Sequence, residues 1–380
     1  MFKIYKKCLK YIVIGISTIK GLKGDYQEAI KRLNKIVLIE PNDPDIYWRL
    51  GVFYFKLCKP TTALEYLQKA VDLGCRQPRH LLWLSSVQSS LGKFNDSDNI
   101  IEEILELNPA SWEAWQIKGQ NLINKGAVKE GVECLKKSLD INPKNATCWN
   151  ELGCVHLEQN ALLEALETFN KGIKFNSKST SLLFNIGLVY LKLENYETSI
   201  LYLKKADNIG MESPQLYNAL GLCYSQLDKL EIAEKYYNKS HELFPNNSET
   251  ISNLAALKGK KSLYSDALDL YEELVRINEY DATALNNIAW CLEHSNNTEE
   301  AIKYYYRALA LESGNVNFRL NLSQCLFKND CFSEAIDHLE EVLKKDAKNY
   351  KAWEILGNIY DKNRCHSKAI DCFNKALGLE

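Results

Sequence analysis

Small and large side chains recur along the chain with a period of 34 residues. When the period is numbered from Lys10, positions 8 and 20 hold only Gly, Ala or Ser in all eleven repeats. Position 24 is large in every repeat, as at Phe169, Tyr237 and Phe373. A small residue midway along one helix, facing a small residue early in the next, lets two backbones cross closely. The pattern therefore predicts two helices in each repeat, arranged as a hairpin.

Helix-ending residues separate the two predicted helices. Glycine and asparagine end helices in the left-handed conformation because they tolerate a positive φ. These residue types stand at position 15 in five repeats and one place earlier in two more: Gly24, Gly92, Gly126, Asn160 and Asn296, then Asn329 and Asn363. We expect them to end the first helix of their repeats.

This pattern resembles the tetratricopeptide repeat family. The family motif has an aromatic residue at position 4, leucine at 7, glycine at 8 and tyrosine at 11, followed by alanine at 20, an aromatic at 24, alanine at 27 and proline at 32. The repeat that starts at Pro214 matches it with Tyr217, Leu220, Gly221, Tyr224, Ala233, Tyr237 and Pro245. Repeats that start at Ala146 and Tyr350 also match well. The resemblance implies an all-α fold, a right-handed superhelical solenoid of stacked antiparallel helix pairs.

Three charged residues depart from the motif. Arg319 replaces the aromatic residue at position 4, Lys118 the leucine at position 7, and Lys258 the tyrosine at position 11. Long basic side chains can lie along a protein surface with their charged ends in water. We expect this surface position for all three, and a role in partner binding is the alternative.

The repeats fill the chain as one continuous array. We expect residues 1–9 to be a basic N-terminal extension and residues 10–380 to be a tetratricopeptide repeat solenoid. The repeats start at residues 10, 44, 78, 112, 146, 180, 214, 248, 282, 316 and 350, the first degenerate and the last truncated. Since solenoids usually need a polar cap, the uncapped last repeat favours contact with a partner, self-association with another copy, or a longer chain.

The N-terminal segment is basic. Residues 1–24 contain six lysines and no acidic residue, whereas the whole chain has a net charge of −2. A mostly apolar stretch runs from Tyr11 to Ile19, but no small-residue cleavage site of a signal peptide follows it. We therefore expect a degenerate first helix of the first repeat, and contact with an anionic membrane surface is the alternative.

Composition narrows the functional classes. With 46% hydrophobic and 25% charged residues, the chain can form a packed core. A net charge of −2 argues against a nucleic-acid partner bound through bulk positive charge. The chain has only 18 Gly and 8 Pro, and seven of the prolines lie at repeat joints. No apolar run approaches the roughly 20 residues that a membrane-spanning helix needs.

The twelve cysteines form no recognisable site. No C-x-x-C pair and no zinc-ligand spacing is present, so we expect no metal and no cofactor. Free thiols at this density fit a reducing compartment, which favours a cytoplasmic location. The sequence also lacks nucleotide-binding loops and hydrolase motifs, so we expect that the protein is not an enzyme.

Asparagines concentrate on one face of the predicted first helices. The resemblance implies that these helices line a concave groove, with positions 2, 5, 6, 9, 12 and 13 facing a bound peptide. Position 6 holds Asn185, Asn253, Asn287 and Asn321, and position 5 holds Asn150, Asn218 and Asn286. An amide side chain donates and accepts, so it can pair with any peptide backbone. We expect an asparagine ladder similar to that in the repeat arm of O-GlcNAc transferases, and simple tolerance of asparagine on exposed helix positions is the alternative.

Aromatic and basic residues stand at the N-terminal end of the predicted groove. Trp48 and Trp83 occupy positions 5 and 6, with Arg49 and Arg79 nearby, and Trp290 occupies position 9 of a later repeat. Because tryptophan and arginine dominate binding energy at many interfaces, these residues are candidate peptide anchors. Packing of the tryptophans against neighbouring repeats is the alternative.

The sequence predicts a non-catalytic scaffold that binds extended peptide or protein partners in its groove. Two other hypotheses stay open. In the first, the repeats are the substrate-targeting arm or subunit of an enzyme such as a glycosyltransferase. In the second, the basic N-terminus makes the protein a membrane-peripheral assembly factor.

Overall fold

The computed structural model describes Lys20 and residues 24–379 of the protein. Most of the basic segment, including the predicted first helix of the first repeat, lies outside the described residues. The described residues form α-helices and no β-strand, which confirms the all-α class, and none of these helices is long and apolar enough to cross a bilayer. The helices are α1 (Tyr26–Val37), α2 (Pro44–Lys56), α3 (Pro60–Asp72), α4 (Pro78–Ser90), α5 (Phe94–Leu107), α6 (Trp112–Asn124), α7 (Val128–Ile141), α8 (Ala146–Glu158), α9 (Leu162–Phe175), α10 (Thr180–Lys192), α11 (Tyr196–Asn208), α12 (Pro214–Gln226), α13 (Leu230–Leu243), α14 (Ser248–Lys260), α15 (Tyr264–Ile277), α16 (Ala282–His294), α17 (Thr298–Leu311), α18 (Val316–Lys328), α19 (Phe332–Lys345), α20 (Tyr350–Lys362) and α21 (His366–Ala376).

Polar residues at the repeat joints set where the first helices begin. From α2 onward, the first helix of every repeat starts at position 1. In most repeats the preceding residue accepts a hydrogen bond from the first turn, as Asn145 does from the Cys148 N–H at 3.2 Å and Asp281 from the Ala284 N–H at 2.8 Å. These bonds satisfy amides that have no partner within the helix. Three first helices carry proline at the first position, where the missing N–H costs nothing: Pro44, Pro78 and Pro214.

The turn between the two helices has the same backbone geometry in every repeat. The residue at position 15 has a positive φ in all eleven repeats, with values between 55° and 87°. The expectation that Asn329 and Asn363 end their helices in this conformation is wrong, because the left-handed residues there are Asp330 and Arg364. The packing of the second helix keeps the turn at one length, so position 15 adopts this conformation even where its residue type disfavours it.

In described repeats that have glycine at position 8, the two helices cross at the small residues, as the sequence predicts. A Cβ atom built on Gly221 would lie 2.6 Å from the ring of Tyr237, which is completely buried. Gly51 and Gly357 are equally close to the large residues at position 24 of their own repeats. Since protein interiors leave no space for an added methyl group at such a contact, the small residue determines how closely the helices approach.

The chain divides into two compact units, which we call the N-terminal half (Met1–Val189) and the C-terminal half (Tyr190–Glu380). Within the N-terminal half, short apolar clusters link successive repeats, one of them through Leu67 and Leu84. Within the C-terminal half, a single cluster extends from Ile251 to Cys372. Each half is therefore a solenoid in which every helix pair packs on the next. A single array from residue 10 to residue 380 stays a prediction.

The residues that depart from the motif bind neighbouring helices. The position-4 aromatic residue often donates to a backbone carbonyl six residues earlier, as Trp149 Nε1 does to Pro143 O at 2.8 Å. Arg319 makes the equivalent bond to Ser313 O at 2.9 Å. The lysines form ion pairs: Lys118 with Glu102, and Lys258 with Glu234 and Asp266. The expected surface position is wrong for Arg319 and Lys258, whose side chains are only 13% and 17% exposed, because nearby carboxylates hold them.

Substitutions at position 15 test the turn geometry. Gly92→Ala should lower the urea midpoint of unfolding, because the left-handed conformation costs an alanine about 1–2 kcal/mol. No atom lies within 4 Å of the methyl group that this change adds, so sterics do not contribute. Cys58→Gly should raise the midpoint, because Cys58 has a φ of 56° that glycine adopts without this cost.

Gly314→Ala is the matched control, because Gly314 has room for a methyl group and no positive φ. We expect it to leave the midpoint unchanged or slightly raised. Circular dichroism during urea titration measures all three variants. Equal losses for Gly92→Ala and Gly314→Ala would contradict the turn assignment.

Candidate functional site

The first helices of neighbouring repeats contact one another directly within each half. The contacts join α2 to α4 and α4 to α6 in the N-terminal half, and α12 to α14, α16 to α18 and α18 to α20 in the C-terminal half. Among the described residues, no two neighbouring second helices come as close. The first helices therefore form the inner layer of each half, as expected for a curved stack of helix pairs. We call the surface formed by their positions 2, 5, 6, 9, 12 and 13 the inner face.

Hydrogen bonds between asparagine side chains join these first helices. In each bond, the amide at position 6 donates to the amide oxygen at position 5 of the preceding repeat, 35 residues earlier. The bonds run from Asn185 to Asn150 at 2.8 Å, from Asn253 to Asn218 at 3.1 Å, and from Asn321 to Asn286 at 3.1 Å. The structure thus brings six of the seven predicted asparagines together in pairs, whereas the sequence alone presents positions 5 and 6 as separate sets.

The amide pairs keep unused hydrogen-bonding capacity. An asparagine side chain has two N–H donors and an oxygen with two lone pairs, and the bond that joins each pair uses one donor and one lone pair. Asn185 Nδ2 also donates to Cys154 Sγ at 3.4 Å. Asn218 and Asn286 are buried, whereas Asn253 and Asn321 are partly exposed. Asn287, the seventh predicted asparagine, is also partly exposed and accepts a bond from Asn286 Nδ2 at 3.3 Å. The amides of Asn253 and Asn321 can therefore still donate to and accept from a ligand, and the Asn185 oxygen can still accept.

A carboxylate takes the place of the position-6 asparagine in α8. The two Glu151 oxygens accept from Gln116 Nε2 at 2.8 and 2.9 Å, and Oε1 also accepts from Gln120 Nε2 at 3.0 Å. Gln116 stands at position 5 of the preceding repeat, so the 35-residue pairing holds here too. Burial raises the pKa of Glu151 to about 7, although the bond from Gln116 opposes the rise. Sequence reasoning missed Glu151, and the signal that could have found it is the position it shares with the asparagines.

Trp48 lies among basic side chains in the N-terminal half. The guanidinium carbons of Arg49 and Arg79 each lie 5.7 Å from the centroid of the Trp48 ring, within cation–π distance. The ring also packs against His80 of the next repeat, with centroids 4.9 Å apart. Trp48 Nε1 is buried and has no hydrogen-bond partner in the described part of the chain. The structure therefore brings these three predicted residues together.

The other two predicted tryptophans pack against the preceding repeats. Trp83 meets Phe55 edge to face with centroids 6.2 Å apart, and the Trp290 centroid lies 5.6 Å from that of Tyr264. Trp290 also covers Gly259, where an added Cβ would lie 3.0 Å from the indole ring. These contacts agree with the packing alternative. Both indoles are only partly buried, so their role as peptide anchors stays a prediction.

A buried carboxylate on the inner face of the C-terminal half is paired with a lysine. Glu293 Oε1 accepts from Lys328 Nζ at 2.6 Å, and Oε2 accepts from the Tyr305 hydroxyl at 3.0 Å. Burial and the negative charge of Glu293 both raise the pKa of Tyr305. This ion pair links position 12 of α16 to position 13 of α18, so it ties two first helices together. Sequence reasoning missed it because both residues look like ordinary charged surface positions.

The cysteines behave as buried thiols. Within the described ranges, no group of three His, Cys, Asp or Glu side chains is arranged to hold a metal ion. The position-10 cysteines Cys223, Cys291 and Cys325 are completely buried and pack as small apolar core residues. Burial raises the pKa of Cys148 to about 12, so this thiol stays protonated near neutral pH.

Family models match most of the chain. Four are described as tetratricopeptide repeat and one as TPR repeat. One model matches residues 44–73, 113–145, 180–209 and 350–380, and the others match 22–57, 214–247, 254–317 and 295–359. The match to residues 214–247 coincides with one 34-residue repeat counted from Lys10.

Solved structures resemble the chain at low sequence identity. YrrB, described as a TPR protein with an unusual peptide-binding site, is 21% identical over 49% of this chain and 96% of its own, with a TM-score of 0.44. The APC/C hetero-tetramer Cut9–Hcn1 is 15% identical over 91% and 89%, with a TM-score of 0.49. Yeast Tom70 is 19% identical over 99% and 93%, with a TM-score of 0.42. Comparison with curated proteins gives no match.

The buried carboxyl of Glu151 makes stability depend on pH. The pKa of the Glu151 carboxyl is about 7 in the folded protein and 4.5 when the side chain is exposed in the unfolded chain. The folded state therefore binds the proton more tightly than the unfolded state does. The contribution of Glu151 to the free energy of unfolding should therefore fall as the pH rises from about 4.5 to 7, by up to about 3 kcal/mol, and stay constant above that range. Glu151→Gln should abolish this part of the dependence, because glutamine does not titrate.

Urea unfolding of the wild type and the Glu151→Gln variant at pH 5 and pH 8 measures the difference. Glu133→Gln is the control, because Glu133 is an exposed residue of α7 and the charge change is the same. The control should follow the wild type at both pH values. The assignment fails if the Glu151→Gln variant keeps the pH dependence of the wild type.

Proposed function

Because the chain belongs to the tetratricopeptide repeat family, we propose that it is a non-catalytic scaffold that binds extended segments of protein partners along its inner face. Stacked helix pairs of this kind present a long surface to a partner. The observation that carries the proposal is the series of paired amides on that surface. Their spare donors and acceptors can satisfy the backbone of a peptide whatever its side chains are.

The spacing of the amides suits an extended peptide. Neighbouring helices lie roughly 8–10 Å apart, and an extended chain advances about 3.3 Å per residue, so one amide per repeat meets about every third peptide residue. In the C-terminal half, Asn253, Asn287 and Asn321 stand at position 6 of three consecutive repeats. The distance from the first of these amides to the last equals the length of about six residues of an extended peptide.

Pairing gives these amides a second property that favours binding. The bond from Asn253 to Asn218, and that from Asn321 to Asn286, hold the side chains in one orientation before a ligand arrives. A side chain that is already ordered loses less conformational entropy on binding. The pairs therefore offer pre-organised hydrogen bonds at low entropic cost.

Replacement of the three position-6 amides tests the proposal. Asn253→Ala, Asn287→Ala and Asn321→Ala, combined in the full chain, should reduce recovery of captured partners at least tenfold in quantitative affinity capture from a cell extract. Each lost hydrogen bond contributes about 1 kcal/mol, and three such losses exceed the 1.4 kcal/mol that correspond to a factor of ten.

A chain with Asn238→Ala and Asn246→Ala is the matched control, because both residues are exposed and lie off the inner face. Its captured proteins should equal those of the wild type. The urea midpoint of each variant shows whether a loss of capture comes from unfolding. If the triple variant stays folded and captures the same proteins as the wild type, the amides do not bind partners.

A further inference from the structure

The Glu151 carboxylate lies among donors that carry no charge. Gln116 Nε2 donates to both of its oxygens, and Gln120 Nε2 donates to one of them. An ionised carboxylate offers about four lone-pair sites, so three bonds leave about one site open. The pair formed by Asn150, which precedes Glu151 in α8, and Asn185 of the next repeat continues the same polar surface. Glu151 is thus a partly used acceptor on the inner face.

Glu151 differs from Glu293 and Asp98, two other partly or fully buried carboxylates, each of which forms an ion pair with a lysine. Lys328 lies 2.6 Å from Glu293, and Lys125 lies 2.5 Å from Asp98. Among the residues that the structure describes, no lysine or arginine forms an ion pair with Glu151. An ionised carboxylate that is buried without a cation costs free energy. A positive charge brought by a ligand would remove that cost.

The inner face around Glu151 is negative. In α6 and α8, positions 2, 5, 6, 9, 12 and 13 include Glu113, Glu151 and Glu158, and they include no lysine or arginine. Lys118 and Lys125 lie at other positions in this region and form ion pairs with acidic residues of α5. At these positions α6 and α8 carry three acidic side chains and no basic one, which favours a basic ligand.

We propose that Glu151 binds a lysine or arginine side chain of an extended protein segment that lies along the inner face of the N-terminal half. The inference rests on the proposed function and adds the chemistry of the segment. The pair of Asn150 and Asn185 satisfies the backbone of the segment, whereas Glu151 selects one basic side chain. The carboxylate gives this part of the surface a sequence preference that neutral amides lack.

The neighbouring ionisable groups leave the charge of Glu151 uncompensated. Burial raises the pKa of Cys148 to about 12 and also raises the pKa of Cys154, so both thiols are neutral. Glu158 adds a second negative charge on the same helix. The side chains of α6 and α10 that form hydrogen bonds here are amides, which do not titrate, and the cation at the inner-face positions of α10 is Lys192 at position 13, seven residues after Asn185. A bound cation therefore favours the ionised form of Glu151, and a proton is released on binding.

The test uses a peptide of alternating lysine and alanine, about ten residues long so that it spans about three repeats. Fluorescence anisotropy measures its binding to the full chain at pH 7 and near-physiological salt. Glu151→Gln keeps the size of the side chain and removes its charge, so the affinity should fall at least tenfold. Glu133→Gln, with the same charge change on the exposed surface of α7, should bind within twofold of the wild type. Equal affinities for the wild type and Glu151→Gln would overturn the proposal.

Calorimetry in buffers of different ionisation enthalpy gives a second readout. At pH 7, close to the Glu151 pKa of about 7, part of the carboxyl population is protonated. Binding of the lysine peptide should therefore release protons from the wild type and none from Glu151→Gln. If the wild type binds the peptide without releasing a proton, the lysine side chain of the peptide does not bind at Glu151. This result would overturn the proposal.

The outcomes separate this inference from the proposed function. If Glu151→Gln behaves like the wild type while the triple asparagine variant loses its partners, the basic preference is wrong and the scaffold function stands. If the wild type does not bind the lysine peptide, the occupant of this face is not basic, and the inference falls in the same way. Concentration-dependent dimers that Glu151→Gln abolishes would identify a second copy of the chain as the occupant, and this result would also overturn the proposal.

Discussion

The close crossing of the two helices in each repeat is the constraint on which the rest of the structure depends. Gly221 lies so close to Tyr237 that no larger residue fits between the helices, and the other repeats place small residues at the same two positions. With one crossing geometry and one repeat length, the helix pairs within each half stack on one another in a regular way. Side chains 35 residues apart then meet on the inner face. The close packing of small residues in the core therefore determines where the polar contacts form on the surface.

Periodicity predicts the fold because packing selects residue size at the same positions in every repeat. It predicts the candidate site less completely. Asn150 and Asn185 are recognisable as candidates from their positions, but not as a pair, because their contact depends on the offset between repeats. A period of 34 residues does not specify that offset. The stacking of one repeat on the next determines that position 5 meets position 6 of the following repeat.

Two other features depend on tertiary packing in different ways. Asp330 and Arg364 adopt the left-handed conformation although an asparagine precedes each of them, because the position of the second helix determines which residue must turn. Glu151 looks like one of many acidic helix residues until its burial and its two glutamine partners are known. Local propensity describes neither case, since the deciding contacts come from another helix.

The pairing across repeat joints also affects how such an array can change in length during evolution. An amide at position 5 contacts the residue at position 6 of the following repeat. The contact therefore depends on the two positions and not on which two repeats are neighbours. Recombination that removed residues 248–281 would bring Asn218 before Asn287, and the new joint would again hold two amides. Whole repeats can therefore be gained or lost with the joint preserved, whereas insertion of a single residue within a helix would break it.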